Sequence, residues 1–512
     1  MQTHDQLATM DAQQLRVFAA GLIEQVGRQD RELHRRQLKI DQLTHEMAVM
    51  RRWKFAARSE QLHGEQRHLF EEAIEADLEA LGLELSALTP AVANEPAKQL
   101  PRRAPLPAHL PRIDIRHEPE HTVCSCGCKL RRIGEDVSEK LDYTPGVFHV
   151  ERHIRGKWAC GRCQTLVQAP VPAQVIDKGI ATSGLLAQVL VAKYADHQPL
   201  YRQEGIFERA GMALPRSTLA QWVGACGVQL QPLVDALKAM LLDRPVLHAD
   251  ETPVAMLKPG TGKTHRAYLW SYATTQYDPL QAVVYDFTET RGGRHAEAFL
   301  GAWRGQLVCD DYAGYKALFG KGVSEVGCMA HARRKFHDLW ANHQSQIAEE
   351  ALVLFGRLYD VERPLRDLAA EARQRIRHLQ ARPIADALQQ WLILHRQKVP
   401  DGSAIAKAID YSLHRWPALL RYLDDGTLPI DNNWVENRIR PVALGRANWL
   451  FAGSLRAGQR AAAVMSLIQS AKLNGHDPYR YLKDVLARLP TQPNRRIDEL
   501  LPHRWTAVAV NA

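Results

Sequence analysis

The sequence predicts an α/β protein: a mixed five-stranded sheet with helices that carries a helical insertion and follows several smaller N-terminal units. Three observations predict it. From residue 245 the apolar pattern gives three strands with short links, Val246–Asp250, Ala267–Ala273 and Gln281–Asp286. A helix over His295–Trp303 leads to a strand at Gln306–Cys309, then a further helical stretch and a strand at Glu325–Cys328. Acids stand at the ends of the first and fourth strands, Asp250 and Asp310, and a third, Glu436, falls on a later helix. Three strands, helix, strand, helix, strand, with acids in those places, is the order of a ribonuclease H-like core.

The chain is 512 residues long, too long for one hydrophobic core, so several units are expected. Its 46% hydrophobic and 24% charged residues are ordinary for a globular protein. The longest apolar runs, around Gly184–Ala192 and Ala461–Ile468, are too short to span a bilayer. The start, Met-Gln-Thr-His-Asp-Gln, lacks the basic-then-apolar layout of a secretion signal. No membrane partner is expected, and the predicted location is cytoplasmic and nucleoid-associated. A net charge of +9 leans towards polyanions.

Residues 1–88 read as a helical, coiled-coil unit with a basic segment. Leu15, Leu22, Val26, Leu33, Ile40, Leu43, Met47 and Met50 fall on one heptad frame, interrupted by Gln29 and Arg36. Self-association into a homo-oligomer is the favoured reading; packing on the chain's own body is the alternative. Arg51–Leu62 interleaves basic and aromatic residues, a mix suited to a phosphate backbone. Residues 89–120, with seven prolines from Pro90 to Pro119 and the pair Arg102 and Arg103, read as a semi-rigid linker.

Residues 121–175 carry five of the eight cysteines, in a C-x-C-x-C run, Cys124, Cys126 and Cys128, and a C-x-x-C pair, Cys160 and Cys163. Zn²⁺ takes four soft ligands at tetrahedral angles, and two such knuckles on neighbouring hairpins supply them. The alternating stretch Lys140–Arg155 fits a zinc ribbon. Which of Cys124, Cys126 and Cys128 ligate is open, with His121 a spare candidate.

Residues 176–240 read as a helical DNA-binding region with three short helices. Tyr201–Ala210 stops at Gly211 and a new helix opens at Pro215, the expected punctuation. Leu219, Trp222, Val223 and Cys226 form a buried face, leaving Arg216, Ser217 and Gln221 at the helix start. A helix-turn-helix reads a groove from that position.

Residues 241–334 form the first part of the core, 335–428 the helical insertion, 429–460 the helix bearing the third acid with a basic segment, and 461–512 a C-terminal helical region. In Pro429–Pro441, Asp431 is a good N-cap, and Pro441 should end or kink the helix. Asn432, Glu436 and Arg440, four apart, share one face, which suggests a place where metal and phosphate meet. Phosphodiester cleavage and strand transfer are in-line displacements served by two Mg²⁺ ions about 3.5–4 Å apart, with Mn²⁺ a substitute. Mg²⁺ keeps several waters, so three acids from separate elements, Asp250, Asp310 and Glu436, are enough to hold the pair. Around the third acid Arg438, Arg440, Arg446, Arg456 and Arg460 accumulate, with Trp449 and Phe451 between them; they read as a surface for the DNA end. His331, Arg333 and Arg334 are further candidates to face the site.

These motifs resemble the large transposase of the insertion sequence 66 family of bacterial mobile elements. The likeness covers nearly the whole chain. It rests on Arg51–Leu62, Leu110–Ile113, the cysteine knuckles, Lys193–Arg202, His248-Ala-Asp-Glu-Thr252, Cys328–Arg334, Asp431–Pro441, Asn448–Ser454 and Asn474–Tyr479. The resemblance implies a DDE transposase whose acids are Asp250, Asp310 and Glu436, with a long helical insertion between the second and third. It also implies terminal inverted repeats and target DNA as substrates, and two small accessory proteins of the same element as partners. Two departures stand out. Asp310-Asp311-Tyr312 replaces the family's usual Asp-Gly-Tyr, which leaves a contribution from Asp311 open. Asn437 stands where Arg is frequent, which moves a phosphate contact to Arg438 or Arg440. Two other readings are a DNA-binding regulator with an inactive core, which the intact triad argues against, and a nuclease that only cuts.

Overall fold

The computed structural model describes residues 12–56, 64–88, 105–119, 123, 125–144, 146–258 and 263–507. Cys124, His121, Arg102, Arg103 and the end of the basic segment after Ala56 lie outside the described residues.

Helices α1 (Ala12–Ala56) and α2 (Gly64–Leu88) pack on each other, and the heptad frame divides between two fates. Leu43 and Met50 are buried against Leu81, with Met47, Leu85 and Leu88 around them. Leu15, Leu22, Val26 and Leu33 stay exposed on the first half of α1. Packing on the chain's own body therefore holds for the second half of the frame.

Strands β1 (Arg112–His117), β2 (Leu130–Thr144), β3 (Val147–Cys160) and β4 (Leu166–Gln168) form the cysteine module. β2 and β3 pair antiparallel from Thr144↔Val147 to Leu130↔Cys160, which brings the two cysteine groups to one end. Helix α3 (Ser183–Tyr194) is capped by Thr182, whose hydroxyl accepts from Leu185 N. Helices α4 (Leu200–Arg209) and α5 (Arg216–Leu242) follow. The third of the expected short helices is thus 27 residues long, because its apolar face continues through Leu230, Leu233, Leu237 and Leu241. α2 lies on it closely: a Cβ at Gly224 would stand 2.2 Å from Ala76 O.

Next come β5 (Val246–Lys258), β6 (Lys263–Thr274), β7 (Val283–Thr288), α6 (Gly293–Leu300), β8 (Gln306–Cys309), α7 (Lys316–Phe319), β9 (Ser324–Gly327) and α8 (Met329–His343). The sheet order is β7-β6-β5-β8-β9, antiparallel among the first three strands and parallel from β5 to β9. This is the ribonuclease H-like arrangement expected. One boundary differs. β5 does not end at Asp250 but runs to Lys258, because its hairpin with β6 keeps pairing to Lys258↔Lys263. β8 pairs with β5 only over Val246–His248, so Asp250 sits just past the point where the parallel neighbour stops. The two faces of the sheet follow the two-residue strand period. Leu247, Leu307 and Cys309 join the larger core with α5, while Val246, Val308 and Val326 join a second core under the insertion.

The insertion folds as α9 (Gln346–Glu362), α10 (Ala370–Ile376), α11 (Arg382–Arg396), α12 (Ala404–His414) and α13 (Trp416–Asp424). It is bolted together by Arg377, fully buried, which pairs with Glu362 and donates to three carbonyls, those of Tyr422, Asp425 and Leu428. The chain then returns as α14 (Asn433–Trp449), α15 (Leu455–Leu473) and α16 (Pro478–Arg488). α15 covers the outer edge of the sheet, where Ser466 and Ser470 hydroxyls accept from Tyr285 N and Val283 N of β7. Of the two expectations for Pro441, ending the helix is not met: α14 runs on to Trp449. His197 sits against the Pro441 carbonyl, and Gly445 makes room for its ring, since a Cβ there would meet His197 Nδ1 at 2.2 Å. Among the described residues no helix is long and apolar enough to cross a membrane.

Candidate active site

Asp250 on β5, Asp310 after β8 and Glu436 in the first turn of α14 converge at one end of the sheet. Burial raises the Asp250 carboxyl well above the usual carboxylate range, and the charges of Glu251, Asp310 and Glu436 push it the same way. Asp310 is fixed by an Asx-type turn, its Oδ1 accepting from Tyr312 N at 2.9 Å. Glu436 places Oε2 3.3 Å from Arg334 Nη2 and Oε1 3.7 Å from His331 Nε2. Burial lowers the His331 pKa, against the pull of Glu436. Asp311 lines the same cleft as Asp310 and stands 3.7 Å from Arg415 and 3.9 Å from Lys316.

A buried node sets the spacing of these elements. Asn432 Oδ1 meets His248 Nδ1 at 2.7 Å, Asn432 Nδ2 donates to Ala249 O at 2.9 Å, and Asn432 N donates to Cys328 Sγ at 3.2 Å. Asn432 thus ties the start of α14 to β5 and to the start of α8. The sequence placed Asn432 beside Glu436 on a metal and phosphate face; it is instead fully buried, holding the backbone, while Arg440 is exposed. Asn432 is also the residue at the N-cap; Asp431 still accepts from Asn433 N at 3.0 Å, and Tyr359 of the insertion donates to it at 2.9 Å.

Three residues at the site had not been singled out from sequence. Glu251 follows Asp250, and its carboxylate holds Arg291 and Tyr315. His248 was visible only as part of a motif. Arg415 of the insertion donates to the Asp310 carbonyl at 3.2 Å and to Tyr411 OH at 2.8 Å, and pairs with Glu325. Nothing local in the sequence marks Arg415 for the site, because the partners that bring it there, the Asp310 carbonyl and Glu325, lie just after β8 and on β9.

The DNA-binding candidates separate. Arg216 is engaged by Glu71 at 3.0 Å, because α2 lies over the start of α5; Ser217 and Gln221 are exposed. Arg334 is exposed and Arg333 half-buried. Arg438 lies over the Trp434 ring at 4.5 Å, Arg446 donates to Pro253 O at 3.0 Å, and Trp449 packs against the main core. Arg456 and Arg460 do not belong to a free basic surface. Arg456 pairs with Glu46 at 2.7 Å and Glu84 at 2.9 Å, and buried Arg460 with Asp77 at 2.9 Å.

At the end of the β2–β3 hairpin, Cys126, Cys128 and Cys160 bring their sulfurs within 4.8 Å of one another. Cys126 Sγ lies 3.6 Å from Cys160 Sγ and 3.8 Å from Cys163 Sγ. Tetrahedral sulfurs about 2.3 Å from a zinc stand about 3.8 Å apart, so the donor set fits Zn²⁺.

A ribonuclease H-like core with acids gathered from separate elements defines a class, that of the nucleic-acid-processing enzymes. Within that class, the chain belongs to the transposase IS66 family, whose model matches residues 178–460. Further models match at 466–503, the IS66 C-terminal element; at 121–164, the zinc-finger binding domain of transposase IS66; and at 42–115, described as transposase C of IS166 homeodomain. The zinc-finger match and the cysteine cluster together support a structural zinc. Similar proteins occur in Sinorhizobium fredii. The uncharacterized protein y4jD is 40% identical over 78% of this chain and 82% of its own length. The uncharacterized protein y4qI is 37% identical over 92% of this chain and 90% of its own. Family membership makes this a DNA-processing enzyme with DNA as a partner.

Proposed function

We propose that this transposase binds the terminal inverted repeats of its element, cleaves the DNA strand and joins the 3′ end to target DNA, with Asp250, Asp310 and Glu436 as the acids that hold catalytic Mg²⁺. The observation that carries this reading is the convergence of the three carboxylates on a buried Asp250. Like charges so placed are costly without a cation. Glu436 Oε1 is buried and has no hydrogen-bond partner among the described residues, which suits a metal-ligand atom. When bound there, a pair of Mg²⁺ ions activates the attacking oxygen and stabilises the leaving one. The chain's own contribution is positional: the Asn432 node sets β5 against α14, and Arg415 supports the Asp310 backbone. Arg334 and His331 stand on the open side of Glu436, suited to meet phosphate. Exposed Leu22, Val26 and Leu33 on α1 support pairing of protomers, so that both element ends are held together. The two small accessory proteins complete the proposed assembly.

The test is strand transfer in vitro with labelled element ends, plasmid target and Mg²⁺, comparing wild type with Glu436→Gln. Joined product from wild type and none from the variant, with end binding kept, supports the reading. Equal activity in both removes Glu436 from the site. Cut but unjoined product points to a nuclease. Binding without any cleavage, with the accessory proteins present, points to a regulator.

A further inference from the structure

Arg291 lies in the turn between β7 and α6 and lines the same cleft as Asp310, Tyr312, His331 and Arg334. Its guanidinium is fixed from two sides. Nε and Nη2 donate to Glu251 Oε1 at 2.8 and 2.5 Å, and the group lies 4.0 Å from the centroid of the Tyr312 ring. Tyr312 OH in turn donates to the Arg291 carbonyl. Glu251 is closed off by these contacts: its side chain is 1% exposed, and its other oxygen accepts from Tyr315 OH at 2.8 Å. The Arg291 side chain, by contrast, is 44% exposed, and its Nη1 has no hydrogen-bond partner among the described residues.

This arrangement gives the fourth carboxylate of the cluster a role other than metal binding. Both Glu251 oxygens are occupied, one by a cation and one by a hydroxyl. The ion pair also keeps Arg291 from collapsing onto Asp250 or Asp310, where it would compete with a metal. A planar guanidinium held along one edge and across one face, with its remaining edge towards a cleft, suits a phosphate oxygen. Arg334 and Lys335 line the same cleft beside Asp310, Asp311 and Asp338, so cationic and acidic groups share it.

We infer that Arg291, oriented by Glu251 and Tyr312, binds a backbone phosphate flanking the one that reacts; this rests on the metal-site reading above, which locates the reacting phosphate. Glu251 is a positioning residue in this scheme and Asp250, Asp310 and Glu436 keep their roles. Fixing the arginine before DNA arrives lowers the ordering cost of the contact.

The test uses full-length wild type, Arg291→Ala, Arg291→Lys and Glu251→Gln, with zinc content and circular dichroism confirming the fold. Each is titrated with element-end DNA bearing one neutral methylphosphonate at successive positions around the cleavage point. Wild type should lose about tenfold in affinity at one flanking position. Arg291→Ala should bind unmodified DNA about tenfold more weakly, show no further loss at that position, and lower the slope of log K against log salt by about one. Arg291→Lys should recover part of the affinity, and Glu251→Gln should lose part of the response at the same position. If Arg291→Ala responds to every methylphosphonate as wild type does, the inference is overturned. These are binding measurements, so they stand apart from strand transfer: active wild type with an unresponsive Arg291 rejects this inference alone, whereas a responsive Arg291 with no strand transfer rejects the catalytic reading alone.

Discussion

His248 and Asn432 meet at 2.7 Å across 184 residues of sequence, and both side chains are fully buried. Because Asn432 Nδ2 donates to the Ala249 carbonyl, its Oδ1 faces the ring as the acceptor, and His248 Nδ1 carries the proton. Asp250 lies two residues beyond His248 and Glu436 four beyond Asn432, so this one contact sets the distance between two of the three acids. Asn432→Ala should leave the Ala249 carbonyl and the His248 ring unpaired in the interior, at a cost of about 2–5 kcal/mol. The urea midpoint should fall, and the Mg²⁺ concentration for half-maximal strand transfer should rise. An unchanged Mg²⁺ requirement would confine the contact to a stability role.

The same node makes a pH prediction. Burial pushes His248 down to about 4, while an unfolded histidine titrates near 6.5. Between those values the unfolded chain holds a proton that the native one does not. Stability is therefore complete above about pH 6.5 and declines as pH falls towards 4, by at most about 3 kcal/mol. His248→Asn should flatten that part of the profile. Thermal melts from pH 4.5 to 7.5 without added Mg²⁺ measure it; parallel profiles for both proteins would assign the slope to other groups.

Arg415 makes the helical insertion part of the site. Its side chain is 6% exposed, paired with Glu325 and donating to the Asp310 carbonyl. Removing it leaves Glu325 without its partner, so Arg415→Ala should cost about 3 kcal/mol and weaken strand transfer more than end binding. Arg396, paired with Asp401 and Asp410 at the far side of the insertion, is the control: Arg396→Ala should change stability by less than about 1 kcal/mol. Equal effects of the two substitutions on strand transfer would show that Arg415 acts only through the fold of the insertion.

Purified protein should carry one zinc per chain, measured by mass spectrometry under metal-free buffer. Cys160→Ser should abolish it, since Cys160 is buried at the centre of the cluster, whereas Cys226→Ser, in the core beneath α2, should retain it. Retained zinc in Cys160→Ser would move the site elsewhere.

The two halves of α1 should respond differently to substitution. Leu22, Val26 and Leu33 are 44%, 61% and 64% exposed, so replacing all three with Gln should lower the oligomer mass in light scattering without lowering the melting temperature of the core. Leu43 is fully buried against α2, so Leu43→Ala should destabilise the hairpin by about 2–5 kcal/mol. An unchanged mass in the triple variant would locate protomer contacts outside α1.

The order of the strands, the candidate acids and the cysteine groups can all be read along the chain itself. Strand alternation, turn residues and cysteine spacing are local properties, set by neighbours within a few residues, and they survive in a linear reading. Asp250, Asp310 and Glu436 were legible because their order along the chain matches that of the elements that carry them; Asp310 and Glu436 sit at element boundaries, whereas Asp250 lies within β5, just past its pairing with β8. Only the tertiary structure decided which polar residues are available. Arg456 reads as part of a basic surface until Glu46, 410 residues away, is found on it. Asn432 reads as a partner of Glu436 until it is seen gripping β5, and Glu251 draws no notice until Arg291 closes over it. Ion pairs and buried hydrogen bonds join groups that share no sequence neighbourhood. Their partners are fixed by how helices and sheet dock, and docking is a property of the whole fold.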